Sequence, residues 1–317
     1  MESERMLHPI IEQDGVDTQN EVVKEEKRLR VDNQPYGKFL ENVKKHLFSK
    51  HPYRWTTIGE MEHLDSATLD EFLAFNKKFY VPNNAVLVVA GDIDMDKTKE
   101  MVQNYFGTIP RGKDIERVSI KEDPIQEALK AEAFDSNIQI PAIITAYRTP
   151  SFKSRESRVL DMISTYLSDG PSSKLYKRLV DEKKMALQSG AINIAQEDYG
   201  MYVIFGLPQG DFKLTDLITE MDDEIAILKE KLISERDYQK LLNKFENGFV
   251  SSNASVEGIA NSLARYYMLF GDTNLINSEI DIYRSITREE IREVANKYLN
   301  TNQRLVLEYL PEEEAAN

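Results

Sequence analysis

Two adjacent glutamates, four histidines and no cysteine bound the chemistry open to this 317-residue sequence. Glu25 and Glu26 lie in NEVVKEEKRLR, residues 20–30, where charged residues recur at helical spacing. A carboxylate in such a run is either a solvated charge on a wet helix face or one ligand of a metal ion whose other ligands lie elsewhere. A catalytic zinc site takes three protein ligands and keeps an open position for water. Imidazole is the expected companion, yet His8, His46, His51 and His63 include no pair four residues apart. His46 and His51 are five apart, with Ser49 and Pro52 beside them, and cannot share one helix face. Met61-Glu62-His63 has no second histidine. All four histidines read as surface or loop residues. The lack of cysteine excludes thiolate metal sites, thiol nucleophiles and disulfides. Gly170-Pro171-Ser172-Ser173 has no following Lys-Ser/Thr at phosphate-loop spacing and no strand immediately before it, so it reads as a helix start with a serine N-cap. The aromatic groups YGKF, HPYRW and RYYMLF read as core or interface, and no nucleotide, flavin or nicotinamide signature appears.

The elements that would position these residues follow from patterning. Residues 20–49 read as helix, interrupted at DNQPYG by turn chemistry. HPYRWTTIGEMEHL reads as loop with a short turn. DSATLDEFLAFNKKFY is a predicted helix with Asp65 or Ser66 as N-cap and an apolar stripe of Leu69, Phe72, Leu73 and Phe79. NAVLVVAGDID is a predicted buried strand, and DKTKEMVQNYFGTIP a helix closed by Gly107. Beyond the charged, proline-containing stretch 111–126 come two strands in ALKAEAFDSNIQIPAIITAYRTP and helices broken at Gly170-Pro171. A hairpin turning near 197–200 follows, then the longest helix of this half from about Lys213, three more helices, and a last strand, QRLVLEYL. Strands grouped with helices describe a layered α+β fold.

Composition adds exclusions. Forty basic against 54 acidic residues give a formal charge of −14, which argues against a nucleic-acid or anionic-membrane surface. No run of about 18 apolar residues could span a membrane. The opening MESERMLHPIIEQDG has neither the basic nor the apolar region of an export signal, so the expectation is a soluble chain. The second half has a full complement of strands and helices, whereas the part before Pro110 offers one strand among several helices. A strand that apolar needs neighbours on both edges. The expectation is therefore that sequence is missing ahead of Met1.

LHPIIEQDGVDTQNEVVKEEKRLRVDNQPYG, NAVLVVAGDID ahead of a helix ending YFGTIP, GPSSKLYKRLVDEKKMAL and ITREEIREVANKYLNTNQRLVLEYLP together resemble the insulinase/pitrilysin family of zinc peptidases, which includes the mitochondrial processing peptidases. The resemblance runs in order through nearly the whole chain. It implies two related layered α+β domains, the first incomplete here: residues 1–112 as the later part of a zinc-bearing domain, a linker at 113–124, and an inactive peptidase-like domain at 125–317. The family's inverted H-x-x-E-H motif and a distant glutamate hold the metal, with the motif's own glutamate as general base. The resemblance aligns Glu26 with the distant ligand and leaves Glu25 as fallback. The histidine motif would fall before Met1, so no catalytic residue is assigned and Zn²⁺ is expected only in a longer parent. Where the family carries an arginine and a tyrosine seven residues apart to hold substrate and oxyanion, LVDEKKMALQS has Val180 and Leu187. Arg178 and Tyr176 read as helix-surface and packing residues. A partner half or subunit supplying Arg and Tyr is implied, with peptides or unfolded polypeptides as substrates. The alternatives are a naturally non-catalytic subunit and a peptide-binding module. The family's members occupy periplasm, mitochondria and cytosol, with the periplasm or cell envelope as the expectation for a bacterial source.

Overall fold

The computed structural model describes residues 1–312. In chain order it opens with helices α1 (Glu2–Leu7), α2 (Gln13–Lys27), α3 (Phe39–Leu47), α4 (Met61–Ser66), α5 (Leu69–Phe79) and α6 (Met95–Phe106). Strands β1 (Leu129–Asp135) and β2 (Ala142–Pro150), helix α7 (Arg155–Ser168) and the hairpin β3 (Ala186–Ile194) and β4 (Tyr199–Pro208) follow. Helices α8 (Leu214–Glu230), α9 (Glu235–Ser252), α10 (Val256–Phe270), α11 (Leu275–Arg284) and α12 (Arg288–Tyr298) precede the last strand, β5 (Arg304–Pro311). The residues divide into two compact units. One holds Met1–Arg28, Ile58–Val118 and Gly248–Glu279; the other holds Leu29–Thr57, Ser119–Asn247 and the described residues from Ile280 on.

The second unit is built on a five-stranded sheet in the order β1-β5-β2-β4-β3. β1 and β5 are parallel and the remaining neighbours antiparallel. Central strands β2 and β4 are covered on both faces, which is why AIITAY and MYVIF are continuous apolar runs rather than alternating ones. Ile143, Tyr147, Tyr202 and Ile204 face the helix-side core with Leu160 and Ile163 of α7, Met221 of α8 and Ile291 of α12. Ala142, Ile144, Met201, Val203, Leu305, Leu307 and Tyr309 face the opposite core with Val43 and Leu47 of α3. Arg304 is a buried charge on the helix side. Its buried guanidinium pairs with both carboxylate oxygens of Asp222 and donates to the Tyr147 hydroxyl at 3.1 Å, the pairing a buried cation requires.

Glu122, in the coil ahead of β1, ties this unit together. Its side chain is 1% exposed. It accepts backbone N–H bonds from Ser49, Lys50 and His51 at 2.6–3.1 Å, a hydroxyl bond from Ser49, and the Arg148 guanidinium of β2 at 3.3 Å. Burial opposes ionisation, but these donors outweigh it and hold the carboxyl down at about 2.

The first unit departs from expectation at its apolar centre. NAVLVVAGDID is not a strand: residues 85–90 are without ladder partners among the described residues, and Leu87 is 50% exposed. A strand exists only as a member of a pair, and nothing described here pairs with it. Helix α5 is capped not by Asp65 or Ser66, which close α4, but by Thr68 in a reciprocal box with Glu71. Helix α2 begins at Gln13, ahead of the expected Asn20. In the second half α9, with 18 residues, exceeds the 17 of α8.

Candidate functional site

Glu25 and Glu26 lie in the last turn of α2, just before a π-helical turn at Arg28–Asp32. The helix docks on its neighbours through a polar stripe. Asn20 donates to the Leu64 carbonyl at 3.1 Å, Lys24 pairs with Asp65 and with Glu21, and buried Lys27 lies 4.0 Å from Glu60. Positions 20, 24 and 27 share one face at 100° per residue, leaving Glu25 and Glu26 on the flanks. The Asp65 hydrogen bond, with that of Glu21, raises the Lys24 ammonium above its ordinary range. Glu25 is exposed and meets Arg28 Nη1 at 3.2 Å, a surface pair. Glu26 is half-buried.

The four histidines are dispersed over separate elements. His8 sits on its own helix turn, with Nδ1 2.8 Å from Glu4. His46 belongs to α3 and His63 to α4. His51 lies in a loop, as one of the expected alternatives, but is 3% exposed. It packs edge-on against Tyr53 and Tyr199 and reaches Asp198 at 3.2 Å. Among the described residues no group of three or more His, Asp or Glu side chains is placed to hold a metal ion. A zinc ion therefore does not fit the described residues: Glu26, with Glu25 as fallback, is one candidate ligand where three are needed.

The other positions singled out by sequence separate in the same way. Val180, in the π-helical turn Tyr176–Glu182, packs against the helix-side core, and Leu187 is half-exposed on edge strand β3 beside a bulge. Neither side chain can donate to a peptide. Arg178 is partly buried and does pack. It donates to Glu220 at 2.6 Å, Glu224 at 3.0 Å and Asp223 at 2.8 Å, fastening the π-helical turn to α8. Ser173 does not cap a helix with its hydroxyl, which is buried without a hydrogen bond; Lys240 instead donates to Ser172.

Residues 66–245 match the Peptidase M16 inactive domain. The chain belongs to the M16 peptidase family. This M16 chain is 28% identical over 290 residues to the zinc protease PqqE of Helicobacter pylori, covering 90% of its own length and 64% of that protein. It thus spans about two thirds of the curated relative. The crystal structure of a protease from Helicobacter pylori superimposes with a TM-score of 0.90 at 26% identity, over 98% of this chain and 74% of that one. The first half of the periplasmic protease PqqL from Escherichia coli shares the fold, with a TM-score of 0.75 at 17% identity over 98% of this M16 chain and 69% of that half. No helix among the described residues is long and apolar enough to cross a membrane.

Proposed function

We propose that this M16 chain is part of a zinc-dependent endopeptidase acting on peptides or unfolded polypeptides. In this reading Glu26 is the third protein ligand, with Glu25 as fallback, and the histidines and general base lie on a segment outside Met1–Asn317. The observation that carries it is the extended apolar run at 85–90: a sequence composed for a sheet interior that stands half-exposed without a sheet. The partial coverage of the zinc protease relative supports the same reading. This reading puts the domain boundary in 113–124, between a zinc-bearing domain at 1–112 and an inactive peptidase-like domain at 125–317; residues 110–126 carry no helix or strand, although the compact units exchange residues 29–57 and 248–279 across that boundary. Val180 and Leu187 leave the arginine and tyrosine roles to a partner half or subunit, and the likeness to one half of PqqL is consistent with that division. By itself the chain binds no zinc tightly and hydrolyses no peptide. Stoichiometric zinc, with turnover abolished by Glu26→Gln, would contradict that last statement.

The deciding measurement is the intact mass and N-terminal sequence of the protein from its native source. A longer species containing His-x-x-Glu-His supports the reading. A native N-terminus at Met1 overturns it and makes the protein a non-catalytic subunit or peptide-binding module.

A further inference from the structure

His51 has no part in the metal reading, yet its surroundings define its proton arrangement. Its Nδ1 faces the Tyr53 backbone N–H at 3.2 Å, a donor, so Nδ1 must be the bare nitrogen of a neutral ring. Nε2 then carries the hydrogen and donates to Asp198 Oδ2 at 3.2 Å. The Nδ1 bond caps the single 3₁₀ turn Pro52–Arg54, which ends at Trp55, whose N–H bonds the Pro52 carbonyl at 3.1 Å. The Tyr53 hydroxyl in turn accepts from the Asp198 backbone N–H at 3.3 Å, linking this turn to the β3–β4 hairpin.

We propose that His51 is a pH-operated latch: protonation at Nδ1 sets two donors against each other, breaks the bond to the Tyr53 amide and rearranges the turn Pro52–Trp55. Several charged groups face the ring, and none of them replaces the lost bond. Asp198 meets Nε2 directly, and Glu122 accepts the His51 backbone N–H at 2.6 Å. Arg148 lies beyond Glu122 and over the rings of Phe48 and Tyr199. Glu197 and Lys153 pair at the hairpin turn, Lys50 and Asp123 pair on the coil side, and the phenols of Tyr53 and Tyr199 complete the shell. Of these, Glu122 is held ionised down to about 2 and stays charged throughout the range in which imidazoles ordinarily titrate.

The chain carries its own reporter, since Trp55 is the sole tryptophan. Its emission is followed from about pH 8 to about pH 5, the usual imidazole window, with far-UV circular dichroism recorded alongside. The expected result is a reversible emission change at constant ellipticity, lost in His51→Asn, whose side-chain oxygen can still accept from Tyr53, and kept in His46→Gln and His63→Gln. An emission independent of pH, an equal response in His51→Asn, or a parallel loss of ellipticity overturns the latch. Should His51→Asn fail to fold, the wild-type chain labelled with ¹⁵N-tyrosine decides: a Tyr53 amide resonance, assigned by its loss in Tyr53→Phe, that shifts over the same window supports the latch, and a stationary one overturns it.

Discussion

The two compact units differ in how completely they bury their apolar residues. In the second, Phe48, Tyr147, Leu160 and Tyr309 are fully buried, and the central strands are covered on both faces. In the first, Val86, Leu87 and Val89 of the extended run, Phe75 of α5, and Met101 and Tyr105 of α6 are all exposed. Apolar patterning fixes which residues seek cover; only a partnering surface supplies it.

That contrast can be broken by substitution. The largest effect is expected for Phe48→Ala in the second unit, which removes a side chain at 0% exposure between Tyr53, Tyr199 and Arg148. A loss of about 3–5 kcal/mol in urea unfolding is the expected outcome, and a loss below about 1 kcal/mol would dissolve the distinction between the units. Next comes acid. The Glu122 carboxyl lies at about 2 in the folded protein against an ordinary 4.5, so its contribution is fully present above about pH 4.5 and lost as pH falls through about 2. Roughly 3 kcal/mol of stability should disappear over that interval. Unfolding curves at stepped acid pH, compared between wild type and Glu122→Gln, check this; equal acid sensitivity in both would remove Glu122 from its role. In the first unit Thr68→Ala removes the α5 cap and should cost about 1 kcal/mol, read as faster amide exchange in the first turn of α5. The smallest effect is expected for Leu87→Ser. Half-exposed and without a ladder, Leu87 should change stability by less than about 0.5 kcal/mol, whereas a core strand residue would cost several times more.

How far the sequence was legible follows the same divide. AIITAY and MYVIF read as strands and are strands, because each has neighbours within the described chain. AVLVVA has the same grammar and is not one, since pairing is a property of two segments and no window on one of them reports it. The α5 cap was spelled out as Thr68-x-x-Glu71, but Asp65 and Ser66 are equally good cap types three and two residues earlier, and only the end of α4 separates them from it. His51 read as a surface or loop residue and is in a loop; its burial was not legible because it depends on Asp198 and Tyr199, far along the chain, and leaves no periodic trace. The helix bearing Glu26 was visible from its spacing. Whether Glu26 is a ligand was not, because a ligand is defined by the groups that converge with it.

The strand order has a consequence for synthesis. β5 lies between β1 and β2, pairing Leu129 with Leu305 and Ala142 with Tyr309. Until the ribosome has released the last strand, β1 has no neighbour and one edge of β2 stands open. At ordinary elongation rates that interval lasts roughly ten to thirty seconds, long enough for an extended, apolar nascent segment to find a wrong partner. The β2–β4–β3 meander can assemble early, but the sheet is completed only by its final residues, so premature termination anywhere before Arg304 would deliver an open-edged intermediate to the cell's chaperones and proteases.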